Sequence, residues 1–302
     1  MARLALIAGT GDLPAALVAR LKAAGRSVLI CEMAGFVAAV SPDLPRLAFR
    51  METLGTFLMT LRDMGVTEVC MAGAVRRPDI DASLIDAATV PLIERLTAAM
   101  GMGDDAMLRI FIAMIEDAGL RVIGADDIAP DLLQPPGVPT AGQPDSRHRA
   151  DAEFATGVIA TLGQADQGQA CVVRDGQVLA REARGGTDAM LAALCGRHDP
   201  TPMEGDPLLW AVDLAAETAD LLTGQIAADV ALPGQGGLLF KAPKPGQDRR
   251  VDLPTIGPAT AMRAAEAGLD GIVIAAGGVM VLDATQVVEI LDANGMFLWV
   301  RP

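Results

Sequence analysis

Hydrophobic runs of strand length alternate with longer amphipathic segments along the first 124 residues. The strand-length runs lie at 3–8, 27–32, 68–72 and 120–124, and the helical segments lie at 14–24, 53–64 and 81–119. Strands that alternate with helices at this spacing form parallel sheets covered by helices. The pattern therefore predicts an α/β domain with a Rossmann-like parallel sheet over residues 1–128.

The second half of the chain continues the alternation but contains a hairpin. Two short strands, 170–174 and 177–182, are joined through Asp175-Gly176, a pair typical of hairpin turns. The other helices and strands are predicted at 147–162, 185–194, 237–240, 259–267, 271–276, 284–293 and 296–300. Together they predict a second α/β domain, with a mixed sheet, over residues 146–302.

Proline marks the boundary between the two predicted domains. Residues 128–145 hold five prolines and two glycines without any hydrophobic periodicity. Because this composition is typical of connecting segments, residues 129–145 are interpreted as a Pro-rich linker.

The formal net charge of the chain is −14, and it limits the classes of partner. Nucleic acid is excluded because its recognition requires a basic surface, and an anionic substrate needs local cations or a metal ion. The hydrophobic stretch 271–282 is too short to span a bilayer, and no N-terminal signal pattern is present, so a cytoplasmic location is expected. Residues 203–231 carry six acids and no base, which indicates a solvated insertion or an interaction surface.

Cysteine and histidine add little chemistry to this picture. The four cysteines are scattered without a Cys-x-x-Cys pair, so buried, reduced thiols are expected rather than a zinc site. His148 and His198 lie in polar surroundings and are predicted to be exposed.

Two polar segments follow predicted strands of the first domain. Gly9-x-Gly11 lies between a strand and a helix, where backbone amides can bind phosphate. Pro14 replaces the third glycine of a dinucleotide fingerprint, so nucleotide contact and a plain tight turn both stay open. Arg76-Arg77-Pro78 follows strand 68–72 at the carboxyl edge of the sheet, where either an anion site or a solvated surface fits.

Residues 241–258 form the most distinctive segment of the chain. They combine four cations, two carboxylates and four prolines, which predicts a stiff, shaped loop. Lysines that bind phosphate, beside aspartates that hold Mg²⁺, are the parts of a phosphoryl-transfer site. Asp248 and Asp252 are interpreted as Mg²⁺ ligands, with ion pairs to Arg249 or Arg250 as the alternative.

A second polar turn precedes this loop in the sequence. Glu182 is followed by Gly185-Gly186-Thr187-Asp188, which offers a hydroxyl and a carboxylate at the start of a helix. Helix capping alone accounts for Thr187 or Asp188, but not readily for both after two glycines. We therefore expect a functional role for this turn.

Taken together, these motifs resemble the bacterial UDP-2,3-diacylglucosamine pyrophosphatase family of lipid A biosynthesis, the LpxI type. The resemblance is carried by residues 6–14, 73–78, 182, 186–191 and, above all, 241–258. It implies a metal-dependent hydrolase that cleaves the diphosphate of UDP-2,3-diacylglucosamine into UMP and 2,3-diacylglucosamine 1-phosphate. It also implies a two-domain enzyme with a substrate cleft between the domains.

The candidate site combines these motifs with the resemblance. The expected catalytic residues are Asp188, Lys241, Lys244, Gln247, Asp248 and Asp252. The expected substrate-binding residues are Gly9, Gly11, Leu13, Arg77, Thr187 and Thr255. A Mg²⁺ or Mn²⁺ ion is expected on Asp248, Asp252 and Asp188.

Each group in this site has an expected role. Lys241 and Lys244 neutralise charge on the phosphoryl oxygens, and Gln247 or Thr187 orients the attacking water.

Two other classes of function remain as alternatives. A non-catalytic sugar-nucleotide sensor would use residues 241–258, which we call the basic loop, to bind a sugar nucleotide without cleaving it. A nicotinamide-dependent oxidoreductase is suggested by Gly9-x-Gly11 together with Glu32 at the end of the second strand. Peripheral contact with the inner membrane and an oligomeric state are left open by the sequence.

Overall fold

The structure, a computed structural model, describes residues 3–75, 80–100, 104–165, 167–183, 185–195 and 235–302. Its contacts divide the chain into two compact units. The first unit comprises residues up to 135 together with 245–255 and 277–282, and the second comprises 136–244, 256–276 and 283–302. Two later segments thus belong to the first unit. The domain limits drawn from the sequence stay predictions.

The first unit is built around a five-stranded sheet with the strand order β3-β2-β1-β4-β5. All four strand pairs are parallel. Its strands are Arg3–Ala8 (β1), Val28–Met33 (β2), Arg46–Phe49 (β3), Val66–Ala72 (β4) and Arg121–Ile123 (β5). Its helices are Leu13–Ala23 (α1), Leu54–Asp63 (α2), Ile93–Met100 (α3), Asp104–Asp117 (α4) and Ala125–Ile128 (α5), with 3-10 turns at Met51–Thr53, Ala82–Leu84, Val90–Leu92 and Pro130–Leu132.

Both faces of this sheet are covered, as the run of hydrophobic residues in β1 predicts. Leu4 and Leu6 join one buried cluster, whereas Ala5 and Ile7 join another. Successive side chains of a strand point to opposite faces, so a strand that is hydrophobic at every position must lie between two layers. The predicted α/β class and the parallel first sheet are confirmed.

The second unit contains a five-stranded mixed sheet in the order β12-β10-β8-β6-β7. Its strands are Ala170–Arg174 (β6), Gln177–Arg181 (β7), Leu238–Lys241 (β8), Gly271–Ala275 (β10) and Phe297–Arg301 (β12). A separate two-stranded sheet is formed by the short strands Thr255–Ile256 (β9), which begins in the first unit, and Met280–Val281 (β11), which belongs to the first unit. Within the described residues, the helices that follow α5 are Ser146–Gln164 (α6), Gly186–Leu194 (α7), Pro258–Glu266 (α8) and Ala284–Ala293 (α9).

Strand direction in this sheet confirms the predicted mixed arrangement. β10 runs parallel to both β8 and β12, whereas β6 is antiparallel to β7 and β8. Asp175 and Gly176 adopt φ angles of 51° and 72° between β6 and β7. Positive φ at both central residues is the geometry of the hairpin turn that this dipeptide favours, so the hairpin prediction is confirmed.

The structure differs from the sequence prediction at β3 and at His148. β3 is a four-residue edge strand with exposed and half-buried positions, and its pattern gives little strand signal. His148 is not exposed as predicted but 7% exposed. Its Nδ1 accepts the Asp145 backbone N–H at 3.1 Å, and its Nε2 lies 2.9 Å from the Asp270 carboxylate. These contacts satisfy both ring nitrogens and explain why burial is tolerated.

The predicted linker contains defined contacts of its own. Thr140 is 4% exposed, and its hydroxyl oxygen accepts the Leu298 backbone N–H at 2.9 Å. Gly137 pairs with Val300 through two backbone hydrogen bonds.

Across the part of the chain that the structure describes, no helix is both long and apolar enough to cross a membrane.

Candidate functional site

A cavity of about 300 Å³ lies in the first unit beside the ends of β1 and β4. The chain builds the sheet outward in one direction from β1 through β2 to β3, and in the other direction from β4 to β5, so the strand order reverses between β1 and β4. Ligands of open α/β sheets bind outside the carboxyl ends of the strands at such a reversal. The residues that line it include Thr10, Gly11, Asp12, Leu13, Gly73, Arg249, Arg250, Asp252 and Thr255.

The turn between β1 and α1 forms one wall of this cavity. Gly9 N donates to Ala72 O at 2.8 Å, and Thr10 and Ala74 exchange two backbone hydrogen bonds of 2.9 Å. A Cβ atom on Gly9 would lie 2.4 Å from Ala74 O, so only glycine fits this approach. Gly11 has a φ of +92°, which also favours glycine.

The same turn leads into the N-terminus of α1 with Pro14 in its first turn. Among the described residues, no side chain caps this helix, because the Asp12 carboxylate makes no capping hydrogen bond. Backbone N–H groups at a helix start carry partial positive charge and attract anions. The turn therefore serves tight packing at Gly9 and also faces a cavity, so both interpretations of the sequence motif have a structural basis.

Residues 249–253 and Thr255 of the basic loop 241–258 also line this cavity, and Asp248 and Arg250 of the loop are paired within the first unit. Arg250 grips Asp248 with two nitrogens, Nε to Oδ1 at 3.0 Å and Nη2 to Oδ2 at 2.7 Å. Its Nη1 donates to Glu116 on α4 at 2.8 Å. The guanidinium of Arg250 lowers the pKa of Asp248 below its usual range. Of the two alternatives left by the sequence, the structure shows Asp248 in the ion pair with Arg250.

Hydrophobic contacts and a second arginine fasten this loop to the first unit. Val251 packs against one core cluster of the parallel sheet and Leu253 against the other. Arg109 of α4 donates to Gly246 O and pairs with Asp105, whose hydrogen bond raises the pKa of Arg109. The prolines, the core contacts and the arginine together account for the stiff loop that the sequence predicts.

The three carboxylates predicted as metal ligands lie in different surroundings. Asp252 lines the cavity and accepts hydrogen bonds from Gln247 at its backbone and side-chain oxygens. Asp248 is engaged by Arg250, and Asp188 belongs to the second unit, with its side chain 53% exposed and 3.9 Å from Arg263 Nε. No group of three His, Cys, Asp or Glu side chains suited to a metal ion occurs in the described residues.

This donor set is compatible with one kind of magnesium site. Mg²⁺ keeps several waters and is commonly held by one or two carboxylates together with substrate phosphates. Asp252 and Asp12, which both line the cavity, meet that requirement only if phosphate oxygens complete the coordination. The described residues do not supply a cage made of protein ligands alone.

A buried polar network lies in the second unit. Lys241, the last residue of β8, donates from Nζ to Thr187 Oγ1 at 2.8 Å, and Thr187 Oγ1 donates to Glu182 Oε1 at 2.7 Å. The three residues are only 7%, 6% and 8% exposed. Glu182 Oε2 accepts the Gln169 backbone N–H at 2.7 Å. A buried ammonium and a buried carboxylate are thus joined through one hydroxyl group, which we call the Lys–Thr–Glu network.

The remaining predicted residues have defined places or lie outside the described part. Thr255 lines the cavity and donates to Leu253 O at 3.3 Å, and Lys244 is half-buried at the end of its segment of the second unit. Arg77 falls outside the described residues, as do its neighbour Arg76, His198 and the acidic stretch 203–231.

Sequence reasoning missed several contributors to the cavity, and Asp12 and Leu282 show two different reasons. Asp12 lies at the start of α1, and its position directly after Gly9-x-Gly11 is a signal that sequence analysis can use. Leu282 comes from the segment 277–282, which the sequence places among the elements of the second domain. Nothing local in that segment indicates that it packs with the first unit.

These features define an α/β protein with a cavity suited to an anionic ligand at the reversal point of a parallel sheet. Comparison with known proteins makes this more specific. The family model of the LpxI N-terminal domain matches residues 3–132, and that of the LpxI C-terminal domain matches residues 135–299. The chain is 36% identical over 298 residues to the UDP-2,3-diacylglucosamine pyrophosphatase LpxI of Caulobacter vibrioides, covering 99% of this chain and 97% of that relative. The chain belongs to the LpxI family.

Proposed function

We propose that the protein is an enzyme that hydrolyses the diphosphate bond of UDP-2,3-diacylglucosamine in lipid A biosynthesis. The products would be UMP and 2,3-diacylglucosamine 1-phosphate. The observation that carries the proposal is the cavity, which is lined by an uncapped helix start and by Arg249 and Arg250. Its support from comparison is the end-to-end similarity to a relative that carries the name of this activity.

The cavity is proposed to bind the phosphate-bearing part of the substrate. The chain has a net charge of −14, so an anion needs local positive groups to approach it. The amides after Gly9 and Gly11 and the two arginines provide these groups, and Leu13 and Thr255 complete the contact surface. Arg77 is proposed to add a further cation.

The reaction itself is proposed to depend on charge neutralisation and positioning. Lys241 and Lys244 oppose the negative charge that grows on the phosphoryl oxygens, and Gln247 orients the attacking water. Such chemistry needs little help from a strong general base, because the transition state is stabilised mainly by electrostatics. Asp188 is proposed to assist at the start of α7.

A divalent ion, Mg²⁺ or Mn²⁺, is part of the proposal. Asp252 would hold it together with phosphate oxygens, and Asp248 and Asp188 are the further carboxylates proposed around it. When bound, the ion would neutralise charge on the diphosphate. The substrate cleft between the domains, a cytoplasmic location and contact with the inner membrane stay predictions.

The test is UMP release from UDP-2,3-diacylglucosamine by the purified full-length protein. We expect UMP to form with Mg²⁺ or Mn²⁺ and to disappear with EDTA. Tight binding without UMP would instead indicate a sugar-nucleotide sensor. Binding of NAD(P)H with no UMP release would favour the oxidoreductase alternative, and UMP release that survives EDTA would remove the metal from the proposal.

A further inference from the structure

We infer that Glu182 is a positioning residue for the reaction, and that it holds the ammonium of Lys241 in place through the hydroxyl of Thr187. This inference rests on the proposed hydrolase function and adds to it a residue outside the predicted site. The substrate is the same diphosphate as in the proposed function, and Lys241 is inferred to face its phosphoryl oxygens during bond cleavage.

The direction of the hydrogen bonds follows from the chemistry of the three groups. A lysine ammonium can only donate, so Thr187 Oγ1 must accept at the 2.8 Å contact with Lys241 Nζ. The single hydrogen of the hydroxyl then goes to Glu182 Oε1, 2.7 Å away. That hydrogen is used within the network, so Thr187 acts on Lys241 rather than as a donor to water or substrate.

The network is held by three separate elements of the second unit. Glu182 follows β7, Thr187 is the second residue of α7, and Lys241 ends β8. Glu182 is itself fixed by the Gln169 backbone N–H at its other oxygen. Side chains whose rotamers are locked by packing and hydrogen bonds hold a catalytic group more accurately than mobile ones.

Burial explains why the carboxylate is needed. Residue Lys241 is 7% exposed, so its ammonium has lost most of its hydration, and removing a charged partner from such a buried network is costly. Glu182 supplies a balancing negative charge at the far end of the hydroxyl. The geometry therefore assigns charge balance to Glu182 and orientation to Thr187, with Lys241 acting on the substrate.

The experiment compares kcat and KM for UMP release in wild type, Thr187→Val, Thr187→Ser and Glu182→Gln. Valine keeps the shape of threonine but has no hydroxyl, whereas serine keeps the hydroxyl. We expect Thr187→Val and Glu182→Gln to lower kcat by about 10- to 100-fold with KM changed by less than about threefold, because a displaced catalytic group loses transition-state stabilisation. Thr187→Ser should recover most of the lost turnover.

A matched control and a double variant separate positioning from folding. Thr140 is a buried threonine of the same unit with its own hydroxyl hydrogen bonds, so Thr140→Val should lower stability and leave kcat unchanged. The double variant Thr187→Val with Glu182→Gln should lose less kcat than the sum of the two single losses predicts, since both residues act on the same ammonium. Thermal unfolding of each variant identifies any that fail to fold, and Glu182→Gln carries the test if Thr187→Val is among them.

The outcomes distinguish this inference from the proposed function. If the wild type releases UMP and Thr187→Val, Thr187→Ser and Glu182→Gln all have the kcat of the wild type, the positioning role is overturned and the hydrolase function stands. Fully additive losses in the double variant would also overturn it. Wild-type protein that releases no UMP would overturn the proposed function, and the inference with it.

Discussion

The cavity of the first unit and the Lys–Thr–Glu network of the second both present cations, but they hold them by different means. Arg249 is exposed and the side chain of Arg250 is 40% exposed, and both belong to the loop that lines the cavity. Lys241 is buried at the end of a central strand and is joined to a carboxylate through a hydroxyl. Exposed ion pairs contribute little energy, whereas a buried charge must be balanced by fixed partners.

This difference suggests a division of work. Exposed arginines can exchange a carboxylate partner for a phosphate at small cost, which suits binding and release. A buried, fixed ammonium suits a task in which position decides the rate. The comparison therefore predicts that changes at the cavity act mainly on KM and that changes in the network act mainly on kcat.

The largest expected effect tests this division directly. Lys241→Met should lower kcat by about 100- to 1,000-fold, the loss seen when one preorganised donor to a transition state is removed. Arg249→Met should raise KM by about tenfold with little change in kcat, since it loses one charge-assisted contact. Steady-state UMP release measures both constants. As a control, Arg20→Met removes an arginine of α1 that pairs with Asp131, and it should change neither constant. A KM effect at Lys241 and a kcat effect at Arg249 would reverse the division.

A second prediction concerns the backbone of the cavity wall. Gly9→Ala places a Cβ 2.4 Å from Ala74 O and should destabilise the fold by about 1 to 3 kcal/mol through overpacking. Gly157→Ala, at an exposed helical position with nothing within 4 Å, should stabilise it by up to about 1 kcal/mol. Urea unfolding measures the free energy of unfolding of each variant, and we expect changes of opposite sign relative to the wild type. If Gly9→Ala were as stable as Gly157→Ala, the turn would not require the close approach of Gly9 to Ala74.

A third prediction uses the pKa of Asp248, which the Arg250 guanidinium lowers. Because the folded-state pKa is below the unfolded one, the pair stabilises the protein at neutral pH, and this is lost as pH falls through the folded pKa. Asp248→Asn should therefore lower the free energy of unfolding at pH 7 by about 1 kcal/mol, with the difference vanishing in strong acid. Asp131→Asn, in a more exposed pair, should cost less. A pH-independent difference at Asp248 would contradict the ion pair as its cause.

The smallest effect concerns the thiols, which neither region uses. Burial raises the pKa of Cys31, Cys70 and Cys171 to about 12, so their thiolates are scarce near neutral pH. We expect iodoacetamide at pH 8 to leave these three unmodified in the folded protein and to alkylate them in urea. Intact-protein mass spectrometry provides the measurement, with the half-buried Cys195 as the internal comparison. Rapid alkylation of Cys70 in the folded state would mean that the sheet opens.

The elements that the sequence predicted well depend on local signals. The hydrophobic run at 3–8 is strand β1, and Asp175-Gly176 forms the expected hairpin turn because its conformation is set by the two residues themselves. β3 was missed because an edge strand with partly exposed positions has no clear alternation.

Other features depend on contacts between distant residues, which sequence patterns do not reveal. The membership of residues 245–255 in the first unit rests on Val251 and Leu253 packing against cores built from β1 to β5. The burial of His148 likewise depends on Asp270, 122 residues away. The candidate site was therefore predicted as a set of residue types, whereas their division between a cavity and a buried network required the structure.

Hydrolysis of a diphosphate transfers an oxygen atom from water to one product, and isotope labelling follows that atom. Purified protein is incubated with UDP-2,3-diacylglucosamine in ¹⁸O-labelled water, and both products are weighed by mass spectrometry. We expect one heavy oxygen per turnover, in either UMP or 2,3-diacylglucosamine 1-phosphate, and the labelled product identifies the phosphorus attacked. UMP formed with no heavy oxygen in either product would contradict hydrolysis and indicate transfer to another acceptor.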